Sequence, residues 1–354
     1  MYSLGVEDSS TRRLSRTSPT GKFRFPLASP VFDMRLIFAR SAFFAAFAVA
    51  FAAPGFAASF AYVPNQASGT VSVIDTGNDE VVRTLSGGGK LSKNLRGAVA
   101  SHDGKTLFLV DAAAGKVDAI DIATDSVKAE IPVGKSPEGI GMSAKGDLVA
   151  ACVEEGNSAA LIDVKTLKLV KQIALKGDNP EHCVFSPDGV LLLASNENSN
   201  DIDVVDLKTG ASGASIKSSG HPRGMAFLPG THIAYVAAES ANAVDVVDAD
   251  KHQVIHTIPT ALRSAGALAS ADGKTIYIAN GGASSISVID VAKNAVVAEI
   301  PVGKRPWNMA LTRDGKKLYV ANGRSNSVSA IDTATRKVVK DIAVGEQPWG
   351  VTIP

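Results

Sequence analysis

Seven short segments ending in aspartate recur along this chain at almost constant spacing. They read TVSVID, KVDAID, SAALID, DIDVVD, AVDVVD, SISVID and SVSAID, and end at Asp75, Asp121, Asp163, Asp206, Asp248, Asp290 and Asp332. The steps between them are 46, 42, 43, 42, 42 and 42 residues. A repeat of this period confines the chain to architectures in which one small unit is copied along a line or around an axis. Each unit holds four stretches of β character, seen most clearly in PWNMALT (306–312), KLYVAN (317–322), SVSAID (327–332) and KVVKDIAV (337–344). Alternating apolar residues and β-branched side chains favour strands over helices here. Asp-Gly pairs at 103–104, 188–189, 272–273 and 314–315 mark turns, because Gly tolerates positive φ and Asp bonds its local backbone. Four short strands in about 42 residues is the signature of a propeller blade. The sequence therefore predicts an all-β chain, a seven-bladed β-propeller with four antiparallel strands per blade.

The two ends of the repeat region predict closure rather than an open solenoid. AYVPN (61–65) matches the second strand of a blade, and PWGVTIP (348–354) matches a first strand. Joined in space, the N- and C-terminal strands complete one blade and remove two exposed edges. The segments AYVPN, IYIAN and LYVAN, each followed by an SVSVID-like strand, together with the recurrent IPVG, resemble YVTN-type propeller repeats over essentially all of 59–354. That resemblance implies the propeller fold. It spans surface-layer proteins, periplasmic proteins near quinone-cofactor systems and relatives of the d1-haem domain. The Pro-Trp-Gly-Val ending resembles periplasmic propellers associated with quinone-dependent catabolism.

The region before the repeats reads as a leader. Arg35 and Arg40 precede an apolar stretch from Ser41 to Ala53, and Pro54-Gly55 then breaks it. The stretch has the length of a signal-peptide core and is short for a membrane span. Small residues Gly55 and Ala57 place cleavage after Ala57 or Ala58. Residues 34–58 are thus expected to be a Sec-type signal peptide, with export to the periplasm or beyond and no membrane span in the mature form. Residues 1–33 are polar and read as an upstream extension or a mis-called start, with Met34 the better initiator. The Arg12-Arg13 pair lies too far from the apolar stretch to form a twin-arginine signal.

Charge and cysteine content exclude several functions. Residues 1–58 carry seven Lys/Arg and three Asp/Glu, leaving 29 basic and 32 acidic residues in the repeat region, a balance of −3. No basic run is interleaved with aromatics, so nucleic acid is not an expected partner. A monomer is expected. The two cysteines, Cys152 and Cys183, form no Cys-x-x-Cys-His motif, so no c-type haem is covalently attached. They read as two buried thiols in adjacent blades, although export also permits a disulfide.

A functional site in a propeller is sought where the innermost strands converge. Aligning the repeats gives rings of equivalent residues. The ring before the recurrent Pro reads Asn94, Ser136, Asn179, His221, Arg263, Arg305 and Gln347. The ring after it reads Arg96, Glu138, Glu181, Arg223, Ala265, Trp307 and Trp349. The next reads Gly97, Gly139, His182, Gly224, Gly266, Asn308 and Gly350. The glycines are expected where inner strands crowd. The middle ring instead sets a charged arc opposite an aromatic one, and holds the only two tryptophans of the chain. Arg96, Glu138, Glu181, His182, Arg223, Arg263, Arg305, Trp307 and Trp349 are the candidate binding residues, suited to a flat or partly apolar molecule carrying charge. The competing reading pairs Arg96 with Glu138 and Glu181 with Arg223 as blade-to-blade salt bridges, and packs both tryptophans between blades. A further ring at the second-strand ends, with Asn65, Asp111, Glu154, Asn196, Ala238, Asn280 and Asn322, reads as turn chemistry.

Catalytic motifs are sparse. Glu138 and Glu181 are weak candidates for a two-carboxylate hydrolytic centre with a divalent ion. Strand alternation predicts that Glu181, His182 and Cys183 cannot all face one ion. His182, standing where most repeats carry Gly, and His221 are the candidate haem ligands. His252 and His256 read as surface residues, and His102 and His232 lie in or near turns. The leading expectation is a non-enzymatic binding or scaffold protein that presents the channel mouth to a small molecule, cofactor or protein partner. The alternatives are a lactonase-like hydrolase and a d1-haem or quinone-cofactor carrier, and the sequence does not specify the cofactor.

Overall fold

The computed structural model describes residues 59–354; the expected leader and the upstream extension lie outside the described residues. Seven antiparallel sheets are arranged as the blades of a propeller. Six have four strands each in simple up-and-down order, as in Leu95–Ala100, Thr106–Asp111, Lys116–Asp121 and Ser126–Pro132 of blade 2. Blade 1 supplies three strands, Phe60–Asn65, Thr70–Asp75 and Glu80–Leu85. Its innermost place is filled by the end of the chain. Tyr62 and Thr352 exchange backbone hydrogen bonds at 2.9 and 3.0 Å, Trp349 N–H reaches Pro64 O at 2.9 Å, and Gln66 N–H reaches Gln347 O at 2.9 Å. Val344, Val351 and Ile353 pack against the buried Ala61, Val63 and Ile74 of the same blade. The closure predicted from the repeat is therefore present, built from isolated bridges rather than a regular strand.

The Asp-ending segments are the third strands. Each is buried on both faces because each blade is covered by a neighbour on both sides, and its few polar side chains are buried with it. The terminal aspartate sits where the strand turns outward, and its carboxylate accepts a nearby backbone N–H. Asp163 accepts from Thr166 at 2.6 Å, Asp206 from Thr209 at 2.9 Å and Asp332 from Thr335 at 2.7 Å. This local bond explains the invariant end of the motif. The core lies between blades: Phe108 and Val110 of blade 2 meet Val149 and Ala151 of blade 3. Ala and Val dominate these contacts, as the low aromatic content of 6% requires.

One expectation is corrected here. Cys152 and Cys183 are bonded as a disulfide rather than held as separate thiols. The bond joins the second strand of blade 3 to the inner strand of blade 4 and closes a loop of 31 residues. A cross-link over that span is worth roughly 3–4 kcal/mol by restriction of the unfolded chain. Burial alone did not separate the two states, since both sulfurs are buried either way.

Removal of residues 347–354 should strip blade 1 of its inner edge and expose Tyr62 and Val63. The expected result is a fall in melting temperature of roughly 5–10 °C, with loss of solubility. An unchanged melting curve would contradict the closure.

Candidate functional site

The channel mouth is built by features that recur from blade to blade. The residue before each inner strand has a left-handed backbone, from His221 at φ 44° to Asn94 at φ 68°. Asparagines of the preceding hairpin hold four of these residues by the backbone N–H: Asn157 holds Asn179, Asn200 holds His221, Asn242 holds Arg263 and Asn326 holds Gln347, at 2.7–3.0 Å. The carbonyl of the same residue accepts from the residue just past the second strand, as in Ser136 with Glu154, Asn179 with Glu197 and His221 with Glu239. Two rings of side chains are thereby locked to one another.

The inner strands are then kinked by a β-bulge after the first residue, seen in blades 2 to 7. A bulge breaks the strict alternation of a strand. Consecutive side chains here therefore diverge without strict alternation. Glu181 turns into the charged cluster, His182 lines the channel and Cys183 enters the disulfide.

Seven of the nine candidate residues meet at the mouth. Arg96, Glu138, His182, Arg223, Arg305, Trp307 and Trp349 line one cavity of about 60 Å³. A second cavity of about 170 Å³ continues down the channel, lined by Ile140, Val184, Met225, Met309 and Val351. His182, Asn308 and Trp349 line both and stand between them. Glu181 lies just behind the wall, bonded to Arg223. Arg263 is at the rim, half exposed, and holds Glu239 at 2.6 Å.

Both tryptophans line the mouth, Trp307 half-buried and Trp349 buried. The Trp349 ring stacks on His182 with centroids 5.6 Å apart and planes inclined by 19°. Arg305 lies over the Trp307 ring at 5.9 Å. The predicted salt bridges also exist: Arg96 meets Glu138 at 2.6 Å, and Arg223 meets Glu181. Pairing and lining thus coexist, because the same guanidinium groups bond sideways and still border the opening.

Sequence reasoning missed three carboxylates. The position just past the second strand reads Gln66, Ala112, Glu154, Glu197, Glu239, Gly281 and Gly323. Glu154 is not a strand end as expected. Val153 ends the strand and Glu154 opens a short 3₁₀ turn, from which it reaches the mouth. Glu197 and Glu239 each meet Arg223 at 3.0 Å. The run of three acidic residues in consecutive blades was the available signal. It was obscured by reading the ring one residue too early, where buried Asn65, Asn280 and Asn322 bond serines of the third strand.

The charges are unevenly balanced around the ring. On one side Glu138, Glu154 and Glu181 crowd together. Burial raises all three, pushing Glu154 up to about 8 and Glu181 up to about 7. Their mutual contact adds to the rise at Glu138 and Glu154, while Arg223 opposes it at Glu181. The cluster therefore retains a proton near neutrality. On the other side Glu239 faces three arginines, Arg223, Arg263 and Arg305. Burial opposes its ionisation, but these cations outweigh it and hold Glu239 below its usual range. His182 is driven down to about 3 by burial and by Arg223, so its imidazole is neutral. Both His182 ring nitrogens, Trp307 Nε1 and Arg223 Nε are shielded and have no hydrogen-bond partner among the described residues.

A channel mouth of this build on seven four-stranded blades defines a β-propeller of the YVTN type. The chain belongs to the YNCE-like beta-propeller family, whose sequence profile matches residues 158–353. The profile of the cytochrome D1 heme domain matches residues 59–183. No curated protein matches the chain. Among solved structures it is similar to Kuenenia stuttgartiensis hydrazine synthase, with 22% identity and a TM-score of 0.66 over 72% of this chain and 88% of that one. It is also similar to a functionally unknown protein of Desulfotomaculum acetoxidans, with 16% identity and a TM-score of 0.73 over 83% and 98%. A third is the dihydro-heme d1 dehydrogenase NirN in complex with DHE, with 19% identity and a TM-score of 0.64 over 85% and 77%. These likenesses establish the shared fold.

The acidic cluster makes stability depend on pH. Glu154 and Glu181 bind protons more tightly in the folded chain than in the unfolded one. Their contribution is complete below the ordinary carboxylate range and is lost as pH rises through about 7 to 8. Denaturant titrations should show stability falling between pH 5 and 8, by up to about 1.4 kcal/mol per pH unit for each proton released. Glu154→Gln should flatten that slope and raise stability at pH 8. An unaltered slope would remove Glu154 from the cluster.

Proposed function

We propose that the protein is an exported binding protein, not an enzyme, whose channel mouth takes a flat molecule bearing carboxylates. The observation that carries this reading is the stacked His182–Trp349 pair beside Arg305 and Trp307, with shielded nitrogens of His182, Trp307 and Arg223 left without partners. Stacking surfaces select a planar body, and Arg263 and Arg305, whose one acidic partner is Glu239, select an anion. Unpaired donors already in place lower the ordering cost of binding. Export follows from the leader read in residues 34–58, and among the described residues no helix is long and apolar enough to cross a membrane.

The hydrolase alternative draws less support. Glu138 and Glu181 adjoin, but each is held by an arginine and the cluster keeps a proton, which opposes capture of a divalent ion. Among the described residues no group of three or more His, Cys, Asp or Glu side chains is arranged to hold a metal.

A tetrapyrrole carrier is the second reading, supported by the heme-domain profile over 59–183 and by His182. The donor chemistry fits, since a neutral imidazole with unpartnered nitrogens is a haem ligand in waiting. The space favours the smaller molecule: cavities of about 60 and 170 Å³ enclose neither ligand, so each would lie across the open mouth, and a macrocycle is the larger body.

Isothermal titration with pyrroloquinoline quinone, a planar tricarboxylate, tests the first reading. Saturable one-to-one binding is expected, weakened about tenfold by Trp349→Ala and by Arg305→Gln. Titration with haem under the same conditions tests the second, with a His182-dependent shift of the visible band as its mark. Binding of neither, or binding indifferent to these substitutions, would overturn both.

A further inference from the structure

Two seams between blades are closed by a tyrosine hydroxyl, and the seam between blades 1 and 2, which also carries a tyrosine, is not. Where blade 7 meets blade 1, the Tyr319 hydroxyl bonds Asp79 in the turn after the third strand, and Lys317 Nζ reaches the same carboxylate at 2.8 Å. Where blade 5 meets blade 6, the Tyr235 hydroxyl bonds Asn294 Oδ1 at 3.1 Å in the equivalent turn. Tyr62 holds that place in blade 1, and the residue it faces by repeat is Asp125 of blade 2. Asp125 is engaged elsewhere. Its Oδ1 accepts from Ser86 N–H at 3.0 Å and Gly87 N–H at 2.9 Å, and its Oδ2 accepts from the Ser86 hydroxyl at 3.3 Å.

Ser86 and Gly87 open the connection that makes the first repeat step 46 residues instead of 42 or 43. The extra loop thus draws off the carboxylate that would have sealed the seam. The Tyr62 hydroxyl makes no hydrogen bond among the described residues. Phe60, where blade 7 has the hydrogen-bonding Lys317, cannot replace the seal.

What remains is a cavity of about 590 Å³, larger than the mouth and channel cavities. It lies at the Phe60 end of a strand whose other end, Asn65, adjoins the mouth. Its walls are Phe60, Tyr62, Val73, Val82 and Ile122. Its polar border holds three cations, Arg83, Lys105 and Lys128, against the single carboxylate of Asp121. That carboxylate is already occupied by the backbone N–H groups of Ala123 and Thr124 at 3.1 and 3.0 Å, with Lys128 no nearer than 4.0 Å. Among the described residues Arg83 has only the carbonyls of Ile122 and Ala123 as hydrogen-bond partners.

We infer that this groove is a second ligand site and that it takes a free lipophilic carboxylate of the medium-chain fatty-acid class. The apolar walls accept the chain, the excess cations accept the carboxylate, and the volume lies within the roughly 300–1,000 Å³ of small-molecule pockets.

The test is calorimetric titration of the full chain with dodecanoate below its micelle concentration. One-to-one binding is expected, with dodecanol binding about tenfold more weakly for want of the charge. Arg83→Gln combined with Lys128→Gln should weaken dodecanoate by about tenfold or more. Val82→Glu, at a side chain already exposed on the groove wall, should do the same without burdening the fold. Trp349→Ala should leave dodecanoate binding unchanged, which separates this groove from the mouth. Absence of saturable binding, binding that survives both groove variants, or binding lost with Trp349→Ala would overturn the assignment.

Discussion

Crowding around the propeller axis is the constraint on which the rest of the structure depends. Seven inner strands approach so closely that a methyl group added at Gly139 would lie 2.4 Å from the Glu181 carbonyl, and one at Gly266 would lie 2.2 Å from that of Trp307. Backbone packs on backbone, so five of seven blades carry no side chain at this level. The two that do, His182 and Asn308, stand between the mouth and the channel below. A site can form here only because the ring departs from its own repeat. The closure of blade 1 by the chain terminus serves the same end, since it places Trp349 against His182.

The second theme is charge held out of balance. A ring of seven positions could alternate acid and base and cancel. Instead the acids occupy blades 3 to 5, and Arg263 and Arg305 of blades 6 and 7 have Glu239 as their one acidic partner. Crowded carboxylates answer by keeping a proton, which costs no partner. Guanidinium groups cannot release theirs, so the excess stays positive on the tryptophan side. A preformed cationic surface beside aromatic rings that line the mouth stores recognition in the fold itself, at the expense of some stability.

The architecture was legible because it rests on local rules repeated seven times. The aspartate at the end of each third strand bonds its own turn and marks every repeat, and the turn after the inner strand needs positive φ and carries a glycine in blades 2 to 7. The candidate residues of the mouth were legible for the opposite reason, as breaks in a pattern: two tryptophans, a histidine in a glycine ring, four arginines. Glu154, Glu197 and Glu239 were harder, since they follow a strand by one residue and their role depends on where the turn begins. The bulge that brings Glu181 and His182 to neighbouring surfaces has no residue signature in this chain. Neither has the disulfide, because two cysteines in adjacent blades are equally at home as buried thiols. The open seam at Tyr62 was written only in the length of the first step, a 46 among 42s, whose consequence depends on where Asp125 turns.

The central claim is that the mouth offers a cationic, aromatic surface to solutes from solvent. Both tryptophans of the chain stand there, so intrinsic emission reads this site alone. Collisional quenching by iodide and by caesium, each scaled to its quenching of free N-acetyltryptophanamide and compared at equal ionic strength, tests the claim without knowledge of the natural ligand. Iodide should quench markedly more strongly than caesium, and Arg305→Gln should narrow the difference. Equal quenching by the two ions, or stronger quenching by caesium, would contradict the account.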